Sequence, residues 1–298
     1  MKHRFVERLW DALPQLAMAA VMAAAVVAAV LYGGAGAGDA ASRPVLWTIQ
    51  DPRPACPEAG RIDIEVNIAA TELTLYEDGV PLFRRDIAIG RGVYPTPQQA
   101  TQIEMVEWNP WWFPPDAPWA AGEKPTPPGP ANPMGLAKMP LSREILFHGT
   151  NQEWSVGRAA SHGCMRMRNR DVTELAWFLQ QRSSGRCDPA LRQQYRDKPW
   201  RTFKVKFDRP VPVDVVYRPV EVKDGGIEFY RDHYGRLHGN RKAAILTEVM
   251  RAGYDIELLD EELVDELAHR WPVGERVPIM SLMRRVPFER GLWTPECS

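Results

Sequence analysis

From Arg61 to Gly90 the chain reads RIDIEVNIAATELTLYEDGVPLFRRDIAIG, and apolar and polar residues alternate along it. Ile62, Ile64, Val66 and Ile68 share one side, followed by Leu73 and Leu75. A period of two suits a half-buried β-strand and leaves a helix without an apolar stripe. Glu77-Asp78-Gly79 supplies a turn and Pro81 to Ile89 a second strand, so the stretch predicts a β-hairpin. The alternation returns in TFKVKFDRPVPVDVVYRPVEV from Thr202, and REILFHGT reads as a short buried strand ending at His148-Gly149-Thr150. Apolar residues make up 45% of the 298 positions, enough to bury a core of one large domain or two modest ones.

Helical signals are fewer. Asp171 reads as an N-cap with Glu174 completing a capping box, ahead of Val172, Leu175, Ala176 and Leu179 on one face. Beyond Asp224 lie a hairpin-like GGIEFYRDHYGRLHG and two helical patterns, Arg241 to Arg251 and Asp260 to Arg270. The expected fold class is therefore mainly β with some α, plus a small α+β C-terminal extension. The extension is expected over 208–298.

The N-terminus reads as an export signal. Lys2, Arg4 and Arg8 precede a stretch from Ala12 to Gly38 with no charged residue, and Ala35-Gly36-Ala37 matches an A-x-A cleavage site. Residues 1–38 fit either a cleaved signal peptide or an uncleaved anchor in the inner membrane with its basic end cytoplasmic. The length of the apolar run favours the anchor, and its Ala-rich, weakly hydrophobic composition favours cleavage, with the balance slightly toward the anchor. Residues 39–61, rich in Gly, Ala and Pro, read as a linker. The bulk of the chain is expected outside the cytoplasm. A formal net charge of −1 supplies no bulk basic field for nucleic acid, so none is expected as a partner.

From Arg91 to Pro140 the sequence reads as a long loop, with four tryptophans set among many prolines in VEWNPWWFPPDAPWAAGEKPTPPGPANPMGLAKM. Aromatic rings on a stiff frame suit a substrate groove or lid as well as they suit core plugs. Trp111 is the candidate for substrate contact.

The chemistry concentrates in AASHGCMRMRNRD, Ala159 to Asp171. The chain has four cysteines, no C-x-x-C pair, and a core that needs no disulfide scaffold. If Cys164 stays reduced, two of Cys56, Cys187 and Cys297 are free to pair, and the sequence does not say which. A thiol becomes a competent nucleophile beside an imidazole that takes its proton. His162 is local but poorly free to orient. His148, arriving from a separate strand, is the better general base, and a carbonyl of the His148–Thr150 turn is placed to fix its tautomer. The N–H groups of Gly163 and Cys164 are candidates for an oxyanion hole, and Arg166 for a carboxylate clamp or a thiolate-stabilising cation. A zinc site on His148, His162 and Cys164 lacks an acidic base in the loop and matches no zinc spacing, so no metal is expected.

HGT followed by SHGCMRMRNRD resembles the signature of L,D-transpeptidases with a YkuD-type catalytic domain: a His, a spacer, Ser-His-Gly-Cys, a hydrophobic residue, Arg, and an Asn or Asp before a helix. The resemblance covers about residues 62–207. It implies a YkuD-like β-sandwich that needs no cofactor, with Cys164 as nucleophile and His148 as base. Gly163 would belong to the catalytic group. Ser161, His162, Arg166, Gly149, Thr150 and Asn169 would line the pocket, with Ser161 positioning the loop. It implies peptidoglycan stem peptides as substrate: a carbapenem-sensitive cysteine forms a thioester on a tetrapeptide, releases D-alanine and makes 3→3 cross-links in the periplasm or cell envelope. Relatives that hydrolyse the same bond, or that attach or release an outer-membrane lipoprotein, share this half-reaction.

Overall fold

A computed structural model describes Cys56 and residues 60–284. The N-terminal segment 1–38, nearly all of the linker and Cys297 lie outside the described residues. Among the described residues no helix is long and apolar enough to cross a membrane.

The alternating stretch forms β1 (Ile62–Asn67), β2 (Glu72–Glu77) and β3 (Val80–Asp86), an antiparallel meander rather than a single hairpin. Thr71, at φ 53°, sits in the first turn, and Asp78 and Gly79, at φ 52° and 79°, make the second. The chain continues through β4 (Ile89–Gly90), β5 (Gln99–Trp108), β6 (Ala137–Pro140), β7 (Leu146–His148), β8 (Ala159–Ser161) and β9 (Met165–Arg166). The expected loop over 91–140 therefore contains the ten-residue strand β5. Its signal was weak because only Ile103, Val106, Glu107 and Trp108 are buried along it, while the other residues remain at least partly exposed.

Helix α1 (Asn169–Ser183) follows β9, and α2 (Pro189–Asp197) is capped by Asp188, which accepts from the Ala190 N–H at 2.8 Å. The capping box expected at Asp171 does not form. Helix α1 begins two residues earlier, and the fully buried Asp171 carboxylate instead meets Arg85 of β3 at 3.4 Å. Charge pairing across the core thus outcompetes a local cap that would have left this carboxylate near solvent.

Strand β10 (Phe203–Val216) completes the main sheet, whose order is β3-β2-β1-β10-β5-β6-β7-β9. It lies parallel to β1 and antiparallel to β5, with a bulge between Lys206 and Val211 where Pro210 removes a donor. The expected domain boundary at 207/208 falls inside this central strand. Val172, Leu175, Ala176 and Leu179 of α1 join the core formed by Ile64, Val66, Ile103, Phe147, Met165 and Val213. A second core is built by β11 (Val220–Lys223), β12 (Gly226–Phe229), β13 (Arg276–Pro278), α3 (Arg241–Arg251) and α4 (Glu261–Arg270), and includes Val220, Phe229, Ile245, Val264 and Trp271. The fold is mainly β with four α-helices among the described residues. Cys56 is bonded to Cys187, with their Cα atoms 5.5 Å apart, and Cys164 is a free thiol.

Candidate active site

Strands β7 and β9 run parallel, with Phe147 opposite Met165 and His148 opposite Arg166. Phe147 and Met165 are fully buried in the core. Alternation then sends Leu146, His148, Cys164 and Arg166 to the other face. Two separated segments thus supply an imidazole and a thiol that both feel the charge of the Arg166 guanidinium. The segment carrying Cys164 is held from a second side, because Arg166 and Ala88 exchange backbone hydrogen bonds at 2.8 and 3.0 Å.

His148 is buried, and its Nδ1 lies 2.6 Å from the Gly149 carbonyl oxygen. A carbonyl only accepts, so Nδ1 carries the proton in the neutral ring. Burial pulls the ring pKa down to about 4, opposed by hydrogen bonding to the Gly149 and Pro133 carbonyls and reinforced by Arg166 and Lys138. The ring is neutral at physiological pH, the state a proton acceptor needs. Burial also raises the Cys164 thiol above its ordinary value, against the lowering effects of the Leu146 main chain and Arg166. Arg166 thus favours the thiolate, but desolvation outweighs the guanidinium in the resting site. The thiol donates to the Glu144 carbonyl at 3.2 Å.

The loop between β8 and β9 is braced by its own polar groups. Ser161 Oγ donates to the Cys164 carbonyl at 2.5 Å and accepts from the Gly163 N–H at 3.1 Å. The Gly163 donor expected in an oxyanion hole is thus committed to Ser161, whereas the Cys164 N–H has no partner among the described residues. Gly163 itself adopts φ 113°, open to glycine and costly for other residues.

His162 is half-exposed and carries the ring of Trp119 stacked on it, centroids 4.0 Å apart and planes 9° apart. Trp119 comes from a 3₁₀ turn at Pro118–Ala120 in the proline-rich segment. Tyr94 packs against the other part of the ring at 4.9 Å, and the Arg91 guanidinium contacts His162 Nε2. Burial, then Arg91 and Arg166, lower the His162 pKa. Arg166 Nη1 donates to Gln152 Oε1 at 3.2 Å. Among the described residues neither Arg91 nor Arg166 has an acidic partner. Arg166, which acts on the thiol, and Arg91, which contacts His162, offer two cations to an incoming anion.

Other predicted site residues are placed differently. Trp111 stacks with the exposed Phe113 at 5.9 Å rather than with any residue of the cysteine loop. Gly149 and Thr150 are buried instead of lining a surface. Asn169 is spent on backbone: its Oδ1 accepts from the Leu136 N–H and its Nδ2 donates to the Thr150 carbonyl, both at 3.0 Å. A Cβ on Gly149 would come within 2.3 Å of that Oδ1, so glycine is required there by close approach. These three are a frame for His148. Sequence reasoning missed Arg91, Trp119 and Gln152. The proline-rich run signalled Trp119 only as one ring of four, and Arg91 and Gln152 carry no local signal.

In this β-sheet protein a free thiol stands immediately before β9, and a neutral imidazole ends β7, the parallel strand paired with β9. Residues 61–189 match the family model of YkuD, described as the L,D-transpeptidase catalytic domain. Similar curated proteins include the probable L,D-transpeptidase YbiS of Escherichia coli K12, 34% identical over 125 residues, 39% of this chain and 41% of that protein. The probable L,D-transpeptidase ErfK/SrfK of Salmonella typhimurium is 34% identical over 128 residues, 40% of this chain and 41% of that one. The putative L,D-transpeptidase YkuD of Bacillus subtilis is 32% identical over 114 residues, 38% of this chain and 57% of its own. The chain thus spans about two fifths of the length of the first two relatives. Among solved structures, an Enterococcus faecium L,D-transpeptidase resembles it distantly, with a TM-score of 0.36 and 17% identity over 53% of this chain and 50% of that one.

Proposed function

We propose that this protein is a peptidoglycan L,D-transpeptidase of the cell envelope that works through a thioester on Cys164. His148 Nε2 takes the thiol proton as sulfur attacks the carbonyl joining the third stem residue, a diamino acid, to the terminal D-alanine. The C–N bond then breaks, the imidazolium returns the proton to the departing D-alanine amine, and a thioester remains. The side-chain amine of a second stem attacks it, sulfur leaves as thiol after the imidazole has carried the amine's proton across, and a 3→3 cross-link results. The Cys164 N–H faces the oxyanion, and Arg91 and Arg166 hold substrate carboxylates. The observation that carries this reading is that His148 lies opposite Arg166 on paired strands, with the free thiol Cys164 two residues before Arg166.

The test is incubation of the purified protein with disaccharide-tetrapeptide, followed by mass analysis. Cross-linked dimers with release of D-alanine are expected, and are to be lost in Cys164→Ala. Tripeptide monomers without dimers would assign the same thioester to hydrolysis, and no change in the tetrapeptide would refute the reading.

A further inference from the structure

The family match ends at residue 189, yet a residue far beyond it reaches the cysteine loop. Tyr234 lies between β12 and α3, in the C-terminal extension. Its hydroxyl donates to the Gly90 carbonyl at 2.8 Å and accepts the Thr96 N–H at 3.0 Å. Thr96 is fully buried, and its hydroxyl accepts from the Gly90 N–H and donates to the Gly163 carbonyl, both at 2.8 Å. The chain of bonds therefore runs from the extension, through Gly90 and Thr96, to the peptide that joins Gly163 to Cys164.

That peptide is trans, as are all the described ones, so its C=O and N–H point in opposite directions. Fixing the Gly163 carbonyl on Thr96 consequently fixes where the Cys164 N–H points. The glycine needs that restraint, because at φ 113° it occupies a region in which its backbone is otherwise free to rotate. Tyr234 is itself held firmly. It stacks on Tyr217 at 5.4 Å, its N–H donates to the Tyr217 hydroxyl at 3.1 Å, and that hydroxyl donates to Asp232 at 2.6 Å.

We propose that Tyr234 is a positioning residue for acyl transfer: acting through Thr96, the C-terminal extension aims the Cys164 N–H at the oxyanion. This rests on the reading of Cys164 as an acylated nucleophile. It assigns the extension a part in the chemistry, as the outer support of the oxyanion donor.

The experiment compares two reactions of one thiol in the full chain. Imipenem acylates by addition of sulfur to the lactam carbonyl; the C–N bond opens and the thiol proton passes to the ring nitrogen. Oxyanion stabilisation matters for that reaction. Iodoacetamide alkylates by displacing iodide at a saturated carbon, where no oxyanion forms. Losing an oxyanion donor outright typically costs about 10²–10³ in rate, so its misdirection in Tyr234→Phe is expected to slow acylation about tenfold. Alkylation is expected to change less than twofold. Phenylalanine keeps the ring stack, Thr96→Ser keeps the hydroxyl and should acylate like wild type, and Thr96→Val serves as a second disrupting variant with the same selective loss. Equal losses in both reactions, or no loss in either, would overturn the inference. Wild type that alkylates but is not acylated would overturn the acyl-transfer reading, and this inference with it.

Discussion

The neutral His148 has a measurable consequence. Lowering its pKa from 6.5 to about 4 favours the uncharged ring by about 3 kcal/mol, and burial is the largest cause. An ordinary imidazole would be only about 9% neutral at pH 5.5, whereas this one would be about 97% neutral. Acylation of Cys164 by imipenem, followed by stopped flow, is therefore expected to hold its rate from pH 8 down to about pH 5 and to reach half its plateau near pH 4. Cys164→Ser should remove no thiolate absorbance near 240 nm at pH 7, because the thiol rests above its ordinary 9.0. A half-maximum near pH 6.5, or a thiolate band at neutral pH, would refute the reasoning.

Stability supplies an independent check of the same ring. The unfolded chain takes up this proton as pH falls through 6.5, while the folded chain resists until about 4. Protein stability contributed by His148 is thus fully present above pH 6.5 and is lost on acidification through that window. Between pH 7 and pH 4.5 the loss is about 2.5 kcal/mol by linkage. Urea titrations of wild type and His148→Asn at both pH values should differ by about that amount. Equal acid sensitivity of the two proteins would contradict the buried neutral ring.

Arg91→Gln and Arg166→Gln each remove one of two cations without an acidic partner, and each should raise KM for the tetrapeptide about tenfold, read by steady-state kinetics. Gly149→Ala would drive a methyl to within 2.3 Å of Asn169 Oδ1, and a loss of about 2 kcal/mol or more is expected in a denaturant titration. Reducing the Cys56–Cys187 bond opens a closure of 131 positions, worth up to about 5 kcal/mol in chain entropy, so Tm should fall on adding dithiothreitol but not in Cys187→Ser.

The parts of the fold that were legible are those whose signal is local. Ile62, Ile64 and Val66 alternate within one strand, and Cys164, His162 and His148 each stand at or next to a strand end. What escaped reading depends on partners distant in the chain. Strand β10 runs past the expected boundary because β1 and β5 flank it on both sides. Asp171 leaves its capping role because Arg85 waits in β3. Trp119, rather than Trp111, meets His162 because the proline-rich segment folds back over the cysteine loop, which no spacing encodes. The contact of Tyr234 with Thr96 joins residues 138 positions apart.

The charges around the thiol separate binding from activation. Arg166 lowers the pKa of His148 and also that of Cys164. Moving a proton from sulfur to imidazole leaves their combined charge unchanged, so a cation that acts on both largely cancels from the energy of that step. Burial does not cancel: it opposes the thiolate and the imidazolium alike, and both must form together. The resting site is consequently held as a neutral pair. In the proposed transfer, ionisation is favoured at the moment of attack by groups that meet the developing oxyanion, with the Cys164 N–H as the free donor among them. Loss of Arg166 should on this account appear mainly in KM, and loss of the support behind Cys164 N–H mainly in kcat. A variant of Arg166 that lowered kcat at unchanged KM would show that the cation acts on the transfer itself.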